Sequence, residues 1–283
     1  MSATTARPNR YGPSAFGDDL RRFWNLTVTL ATTDFKLRYF GSVLGYFWSL
    51  ARPLMFFTVL YLFFSKALHA GQGVPHYPVY LLGSIILWTF FTETTGGCVR
   101  CLLDREGLLR KMRFPRLVIP LSVALTSAFN LLTNFVAVLV LAFISGVTPR
   151  WSWLQLLPLM GLMALLAVGV GMLLSALYVR FRDIQPIWDV ASQILFYGSP
   201  IIYVAATYDS AKPGLEHVAV TFNPIAAILT QVGHAFVDPS LPTAATAAGG
   251  GARVLVALAI IAAMFALGLW VFHREAPRIA ENL

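Results

Sequence analysis

Three groups of side chains in this sequence have types and spacings that could do chemistry. Cys98 and Cys101 stand at C-x-x-C spacing, Glu93 and Asp189 are carboxylates in apolar surroundings, and RCLLDREGLLRKMRFP at Arg100–Pro115 packs five basic residues between two apolar runs. The cysteine pair could hold a metal, but a zinc site needs about four ligands and no second Cys or His pair lies nearby. Beside a cytosolic loop the thiols stay reduced, so both are expected to be packing residues. Glu93 and Asp189 are too isolated for an acid–base pair. The sequence carries no G-x-x-x-x-G-K-[ST], H-E-x-x-H or G-x-S-x-G arrangement. Catalysis by this chain alone is therefore not expected, and neither is a cofactor or metal of its own.

The basic stretch has a different meaning. Lys and Arg near membrane-spanning ends are retained on the cytoplasmic side, so Arg100–Pro115 reads as a cytoplasmic loop that orients its neighbours. Within it Leu102, Leu103, Glu106, Leu109, Arg110 and Arg113 alternate apolar and charged faces at helical spacing, and Pro115 supplies a stop. A short amphipathic helix outside the bilayer, suited to be pushed on by a soluble partner, is the expectation.

The elements around it follow from composition. The 283 residues are 57% hydrophobic and 12% charged, against roughly a quarter charged in soluble domains. An all-α membrane protein with six spans is expected, at about 48–68, 77–98, 116–145, 152–178, 186–207 and 253–273. The net charge of +8 is distributed beside the spans instead of forming one polar domain, which argues against nucleic acid. With both termini cytoplasmic, only Lys66, Arg150, Lys212 and Arg253 fall outside. No signal peptide is evident in the polar first fifteen residues.

Residues 1–15 read as a disordered cytoplasmic tail and 16–283 as one transmembrane domain. Phe16, Leu20, Phe23, Trp24, Thr27 and Ala31 recur at helical spacing opposite Asp18, Arg21, Arg22 and Asn25, predicting an interfacial amphipathic helix. In DFKLRYFGSVLGYFWSLARPL at Asp34–Leu54, Gly41 and Gly45 interrupt an aromatic-rich run at the mouth of the first span. In the fourth span Gly161, Gly169, Gly171 and Ser175 predict close helix approach. The fifth holds Asp189, Gln193, Phe196, Tyr197, Gly198, Pro200 and Tyr203, polar and kinkable enough to wall a pathway. Phe222–Val237 is apolar but too short to span, which predicts a re-entrant or interfacial hairpin before the last span.

Taken together, KLRYFGSVLGYFWSLARPL, EGLLRKMRFPRLVIPL and YVRFRDIQPIWDVASQILFYGSPIIY, in this order from about Phe16 to Phe272, resemble the ABC-2 type permeases of polysaccharide ATP-binding-cassette exporters. That family exports O-antigens, capsules, teichoic acids and related lipid-linked glycans across the bacterial inner membrane. The resemblance implies a homodimer bound to two copies of a separate cytoplasmic ABC ATPase, which would carry the ATP and Mg. The segment Glu106, Gly107, Leu108, Leu109, Arg110, Lys111, Met112 is similar to the family's coupling helix, and the Phe16–Ala31 helix, with Arg21 and Trp24, to its interface helix. The resemblance implies a position at the channel mouth for Tyr39, Ser42, Leu44 and Gly45. The family channel is lined by the first and fifth spans, which implies Tyr46, Phe47, Trp48, Gln193, Phe196, Tyr197 and Tyr203 as lining. Asn223-Pro224 matches a common feature of the family's extracellular re-entrant helices. Two other classes are compatible with the residues: an ABC-2 exporter of small molecules or drugs, and a membrane enzyme of glycan assembly acting through Glu93 or Asp189.

Overall fold

A computed structural model describes residues 20–39, 45–67, 71, 73–107, 114–207, 209 and 214–282, without the side chains of 39, 45–46, 66–67 and 276–282. Ten α-helices and no strand occur among the described residues. The expected tail, Phe16, Ser42 and Leu44, and Leu108, Leu109, Arg110, Lys111 and Met112 of the basic loop, lie outside the described residues.

Helix α1 spans Leu20–Tyr39 and buries Phe23, Thr27 and Ala31, one residue per helical turn. It lies against α4 (Val118–Ile144), where Thr126 Oγ1 donates to the Ala31 carbonyl at 3.2 Å and Phe35 meets Phe129 edge-on at 5.7 Å. The buried stripe is narrower than the sequence pattern predicts. Leu20 and Trp24, counted on the apolar face, stay 73% and 57% exposed because only the Phe23 side of the helix faces α4. Lys36 and Arg38 in the last turn complement the negative end of the helix dipole.

Helix α2 (Gly45–Leu60) contains Pro53 and continues as a π-helical turn, Tyr61–Ala67. Proline takes one donor out of the backbone ladder, and the wider π turn follows it. Most of α2 remains uncovered: Phe47, Trp48, Met55, Phe56, Val59, Leu62 and Phe63 are all exposed.

Helix α3 (Tyr77–Asp104) is the opposite case, buried on nearly every side. It starts from His76 in the left-handed region at φ 48°, with proline in its first turn, and packs against α4 and α5 (Leu156–Arg180). A helix that is apolar all round needs neighbours all round, and α3 is the centre of the bundle.

A short turn through Gly146 joins α4 to the 3-10 segment Trp151–Gln155 that opens α5. Close helix approach appears where α5 meets α10 (Gly251–Asn282). A Cβ on Gly268 would sit 2.0 Å from the Gly169 carbonyl oxygen, and one on Gly169 would sit 2.6 Å from the Phe265 Cα. Gly171 is less tightly constrained, by the Cys98 side chain with Sγ at 2.9 Å, whereas Gly161 faces open space.

Helix α6 (Ile184–Tyr197) is 14 residues long, about 21 Å at 1.5 Å per residue, and ends well before residue 207. Gly198-Ser199-Pro200 stops it, since proline disfavours helix in the residue before it. Two tyrosines from the start of α3 then hold the non-helical chain that follows. Tyr77 donates its hydroxyl to the Ile202 carbonyl and Tyr80 to that of Pro200, each at 2.5 Å.

Helices α7 (Leu215–Phe222) and α8 (Pro224–Val232, continuing as the π turn Gly233–Val237) are bent by 103° at Asn223. Asn223 Oδ1 caps α8 by accepting from the amides of Ile225 and Ala226 at 3.0 and 3.3 Å. Its Nδ2 donates to the Gly198 carbonyl and to Ser199 Oγ at 3.1 and 2.9 Å. One side chain thus starts a helix and ties the bent pair to the end of α6. The short α9 (Ala244–Ala247) leads into α10.

Among the described residues four helical stretches are long and apolar enough to cross a membrane, Phe47–Ser65, Val118–Ile144, Trp151–Arg180 and Gly251–Glu275, or five if the bent pair counts as one. The expectation of six adds α3, which has the length, and the α6 region, whose helix alone is shorter than a ~30 Å hydrocarbon core.

Candidate functional site

Two clefts flank α2 and share Phe56 in their walls. The smaller, about 260 Å³, lies between α2, α3 and α6 and is lined by Phe56, Trp88, Thr92, Ser192, Gln193, Phe196 and Tyr197. It brings together three of the residues assigned to channel lining. Their exposures separate them: Gln193 and Tyr197 are exposed, whereas Phe196 is 9% exposed, with its ring 5.6 Å from Trp88 and 6.1 Å from Phe56. Phe196 therefore holds α6 onto α3 while it forms the floor of the cleft. Tyr203 is not in the cleft; its hydroxyl donates to the Tyr197 carbonyl at 2.6 Å and fixes the end of α6 from below.

The larger cleft, about 610 Å³, opens on the other side of α2 between α1, α3 and α4. Trp48 lines this one, not the α6 cleft, and Phe47 is exposed beside it. Its other walls are Arg38, Ser49, Arg52, Pro53, Thr89, Glu93, Asn130 and Asn134. Glu93 accepts from Asn130 Nδ2 at 3.0 Å and lies 4.0 Å from the Arg38 guanidinium. The carboxylate is thus one member of an interhelical polar cluster. Asp189 stands exposed on α6, where its backbone carbonyl accepts from Ser192 Oγ.

A third feature joins α1 to the basic loop. Arg105, just past the end of α3, pairs with Asp34 of α1 through Nη2 and donates from Nη1 to Ser122 Oγ of α4 at 2.9 Å. The pair is partly buried, with side chains 19% and 33% exposed. Glu106 and Gly107 follow immediately and are the only part of the expected coupling segment that is described. Arg21 and Trp24 are exposed on the outer face of α1. Of the residues expected at a channel mouth, Tyr39 is the last of α1 and Gly45 the first of α2. The Tyr46 side chain falls outside the described atoms.

Cys98 and Cys101 are both free and buried, with Cys98 Sγ 3.6 Å from the Pro120 carbonyl, as packing residues would be. No group of three or more His, Cys, Asp or Glu side chains with metal-binding geometry occurs among the described residues.

Sequence reading missed Arg38, Arg52, Asn130 and Asn134 as one site. Both arginines count as topological charges in the sequence, and Asn130 and Asn134 lie in an apolar run where a one-turn spacing of amides was the available signal.

Comparison with known proteins bears on the whole arrangement. The profile of the ABC-2 type transporter family matches residues 25–229. The O-antigen export system permease protein RfbA of Klebsiella pneumoniae is 28% identical over 224 residues, 79% of this chain and 84% of that protein. The protein of the same name from Myxococcus xanthus is 27% identical over 270 residues, 94% and 98% of the two chains. The polysialic acid transport protein KpsM of Escherichia coli is 20% identical over 171 residues, 60% of this chain and 66% of its own.

Proposed function

As this chain belongs to the ABC-2 type transporter family, we propose that it is the membrane subunit of an ATP-driven exporter of lipid-linked polysaccharide. The substrate class is an O-antigen, teichoic acid, capsule or other cell-wall glycan, moved from the cytoplasm across the bacterial inner membrane. The carrying observation is similarity along 94% of the chain to a protein named as an O-antigen export permease. In this reading the bundle has six spans, α2 to α5, the α6 region and α10, with both termini cytoplasmic and the bent α7–α8 pair re-entrant from the far side. Two copies form the channel, and two copies of a separate ABC ATPase hydrolyse ATP.

The exposed sides of α2 and α6 are the surfaces available for a seam between copies. A sugar chain presents C–H faces that aromatic rings meet without fixing any one residue, so a wall of Tyr197, Phe56 and Trp88 permits stepwise movement. The ATPase would act on residues 106–112 and on the exposed face of α1 with Arg21 and Trp24, and the Arg105–Asp34 pair would make those two surfaces move together. ATP shifts the channel between states only by its differential affinity for them.

The test is to isolate the tagged chain from its native membrane in mild detergent, identify what accompanies it by mass spectrometry, and delete its gene. A stoichiometric ABC ATPase and loss of surface glycan are expected. Altered drug sensitivity with intact glycan would move the function to small-molecule export, and no ATPase with glycan-assembly activity in detergent would move it to an enzyme.

A further inference from the structure

We propose that the cleft between α1, α2, α3 and α4 binds the headgroup of a membrane lipid whose phosphate ester carries hydroxyl groups, phosphatidylglycerol being the simplest. The inference rests on membrane embedding and not on glycan export. The cleft holds two guanidinium groups, Arg38 and Arg52, and one carboxylate, Glu93. Glu93 lies 4.0 Å from Arg38, so that pair is near neutral, and no carboxylate lies within salt-bridge distance of Arg52 among the described residues. The net charge of the lining is one positive, which matches one phosphodiester anion and leaves a zwitterionic lipid unbalanced.

The second observation is Asn134. The residue is 6% exposed, lines the cleft, and its carboxamide oxygen accepts no hydrogen bond. A buried acceptor without a donor is destabilising, and such groups in native structures are ordinarily paired. A headgroup hydroxyl supplies that donor and a choline headgroup cannot. An arginine that merely reaches for the membrane surface would need no such acceptor behind it. Trp48, 57% exposed at the rim, is the side chain favoured at headgroup depth. Across α2 lies the cleft proposed for glycan, with Phe56 in both walls, so the lipid sits off that path but against the same helix.

A lipid-linked diphosphosugar also presents phosphate oxygens and hydroxyl groups, but with two negative charges against a lining of one positive, and the experiment separates the two sources. Full-length chain in a polyoxyethylene detergent is titrated by native mass spectrometry with dioctanoyl-phosphatidylglycerol, dioctanoyl-phosphatidylcholine and citronellyl diphospho-N-acetylglucosamine. Wild type is expected to prefer phosphatidylglycerol to phosphatidylcholine by about tenfold or more, ~1.4 kcal/mol. Arg52→Gln and Asn134→Leu should each remove most of that preference and leave phosphatidylcholine binding unchanged. Asn134→Leu should not lower the unfolding temperature of the lipid-free chain, because replacing an unsatisfied polar group by an apolar one of similar shape is neutral or stabilising. Tighter binding of the diphosphosugar, lost in the same variants, would identify the lipid-linked sugar as the source and keep the site. Equal binding of the two phospholipids, or Arg52→Gln behaving as wild type, overturns the proposal. No selectivity in the wild-type chain with glycan export intact removes the site alone, whereas selectivity in the wild-type chain with no accompanying ATPase removes the export reading alone.

Discussion

Breaking the Arg105–Asp34 pair should loosen α1 from the bundle, and the structure sets how much. Opposite charges in contact attract by about 4 kcal/mol at the effective dielectric of a protein surface. Solvent screening and the desolvation of both groups offset most of that. Fully exposed pairs retain roughly 0.2–1 kcal/mol, whereas removing one member of a fully buried pair costs roughly 3–5. With side chains 19% and 33% exposed, Arg105 and Asp34 fall between these limits, and a coupling of ~1–2 kcal/mol is the expectation. Arg105→Gln should cost more than Asp34→Asn, because only the former also loses the 2.9 Å bond to Ser122 Oγ.

The assay is a double-mutant cycle on thermal unfolding in micelles, using Arg105→Gln, Asp34→Asn and the pair. At roughly 2–4 °C per kcal/mol for a chain of this size class, the double variant should melt about 2–8 °C above the additive value. Single effects that add to within ~0.5 kcal/mol would refute the pair as a structural tie, and Asp34→Asn costing more than Arg105→Gln would refute the role given to Ser122. Glycan export by Asp34→Asn at undiminished chain abundance should fall if α1 and the 106–112 segment act together; normal export would refute that coupling.

Phe196→Ala should lower stability by ~3–5 kcal/mol through the cavity left against Trp88 and Phe56, while Tyr197→Ala, 68% exposed, should leave the unfolding midpoint nearly unchanged and reduce export. Equal midpoints for the two variants would remove the distinction between floor and wall. Gly268→Ala should separate α5 from α10 and cost about 1–3 kcal/mol or more, since its Cβ would lie 2.0 Å from the Gly169 carbonyl oxygen. Gly161→Ala, facing open space, is the neutral control; a Gly268→Ala midpoint equal to wild type would contradict the contact. At Asp238, hydrogen bonds from the Ser240 hydroxyl and backbone amide hold the carboxyl below the ordinary carboxylate range. A depressed folded value contributes stability that is present above the unfolded value, ~3.9, and is lost as pH falls through the folded one. Amide exchange at Ser240, corrected for its intrinsic pH dependence, should therefore accelerate only below pH ~4, and Asp238→Ala should abolish that acid step.

Periodicity and punctuation carried most of the fold. The α1 repeat, the Asn223-Pro224 break and the small residues of α5 are local signals, and Asn223 does what its type and position predict by capping a helix that begins with proline. Gly198-Ser199-Pro200 at the end of α6 reads in the sequence as a kink inside a span running to about 207, because the apolar composition continues past these residues, whereas the helix stops at Tyr197. Adjacent aromatics posed a different problem. Phe196 and Tyr197 are ~100° apart on a helix, so only the position of α3 decides that one becomes floor and the other wall. The Arg38–Glu93–Asn130 cluster was least legible, since its members lie on three helices and each has an ordinary local reading as a topological charge or a spanning-helix amide.

The distribution of packing then says which parts of the molecule can move. Helix α3 is covered on nearly all sides and is anchored at both ends, by Tyr77 and Tyr80 to the chain after α6 and by Arg105 to α1 and α4. Closely packed interiors transmit strain, so a push near Arg105 would be carried along α3 towards the Gly198–Ile202 segment. Asn223 passes it on to the α7–α8 bend, through its bonds to Gly198 and Ser199. Helices α2 and α6, by contrast, each bury one narrow side and bound a cleft. In an exporter built this way α3, α4, α5 and α10 serve as the frame, and the wall between the two clefts, α2, is the element whose position a bound lipid on one side and a substrate on the other would both bias.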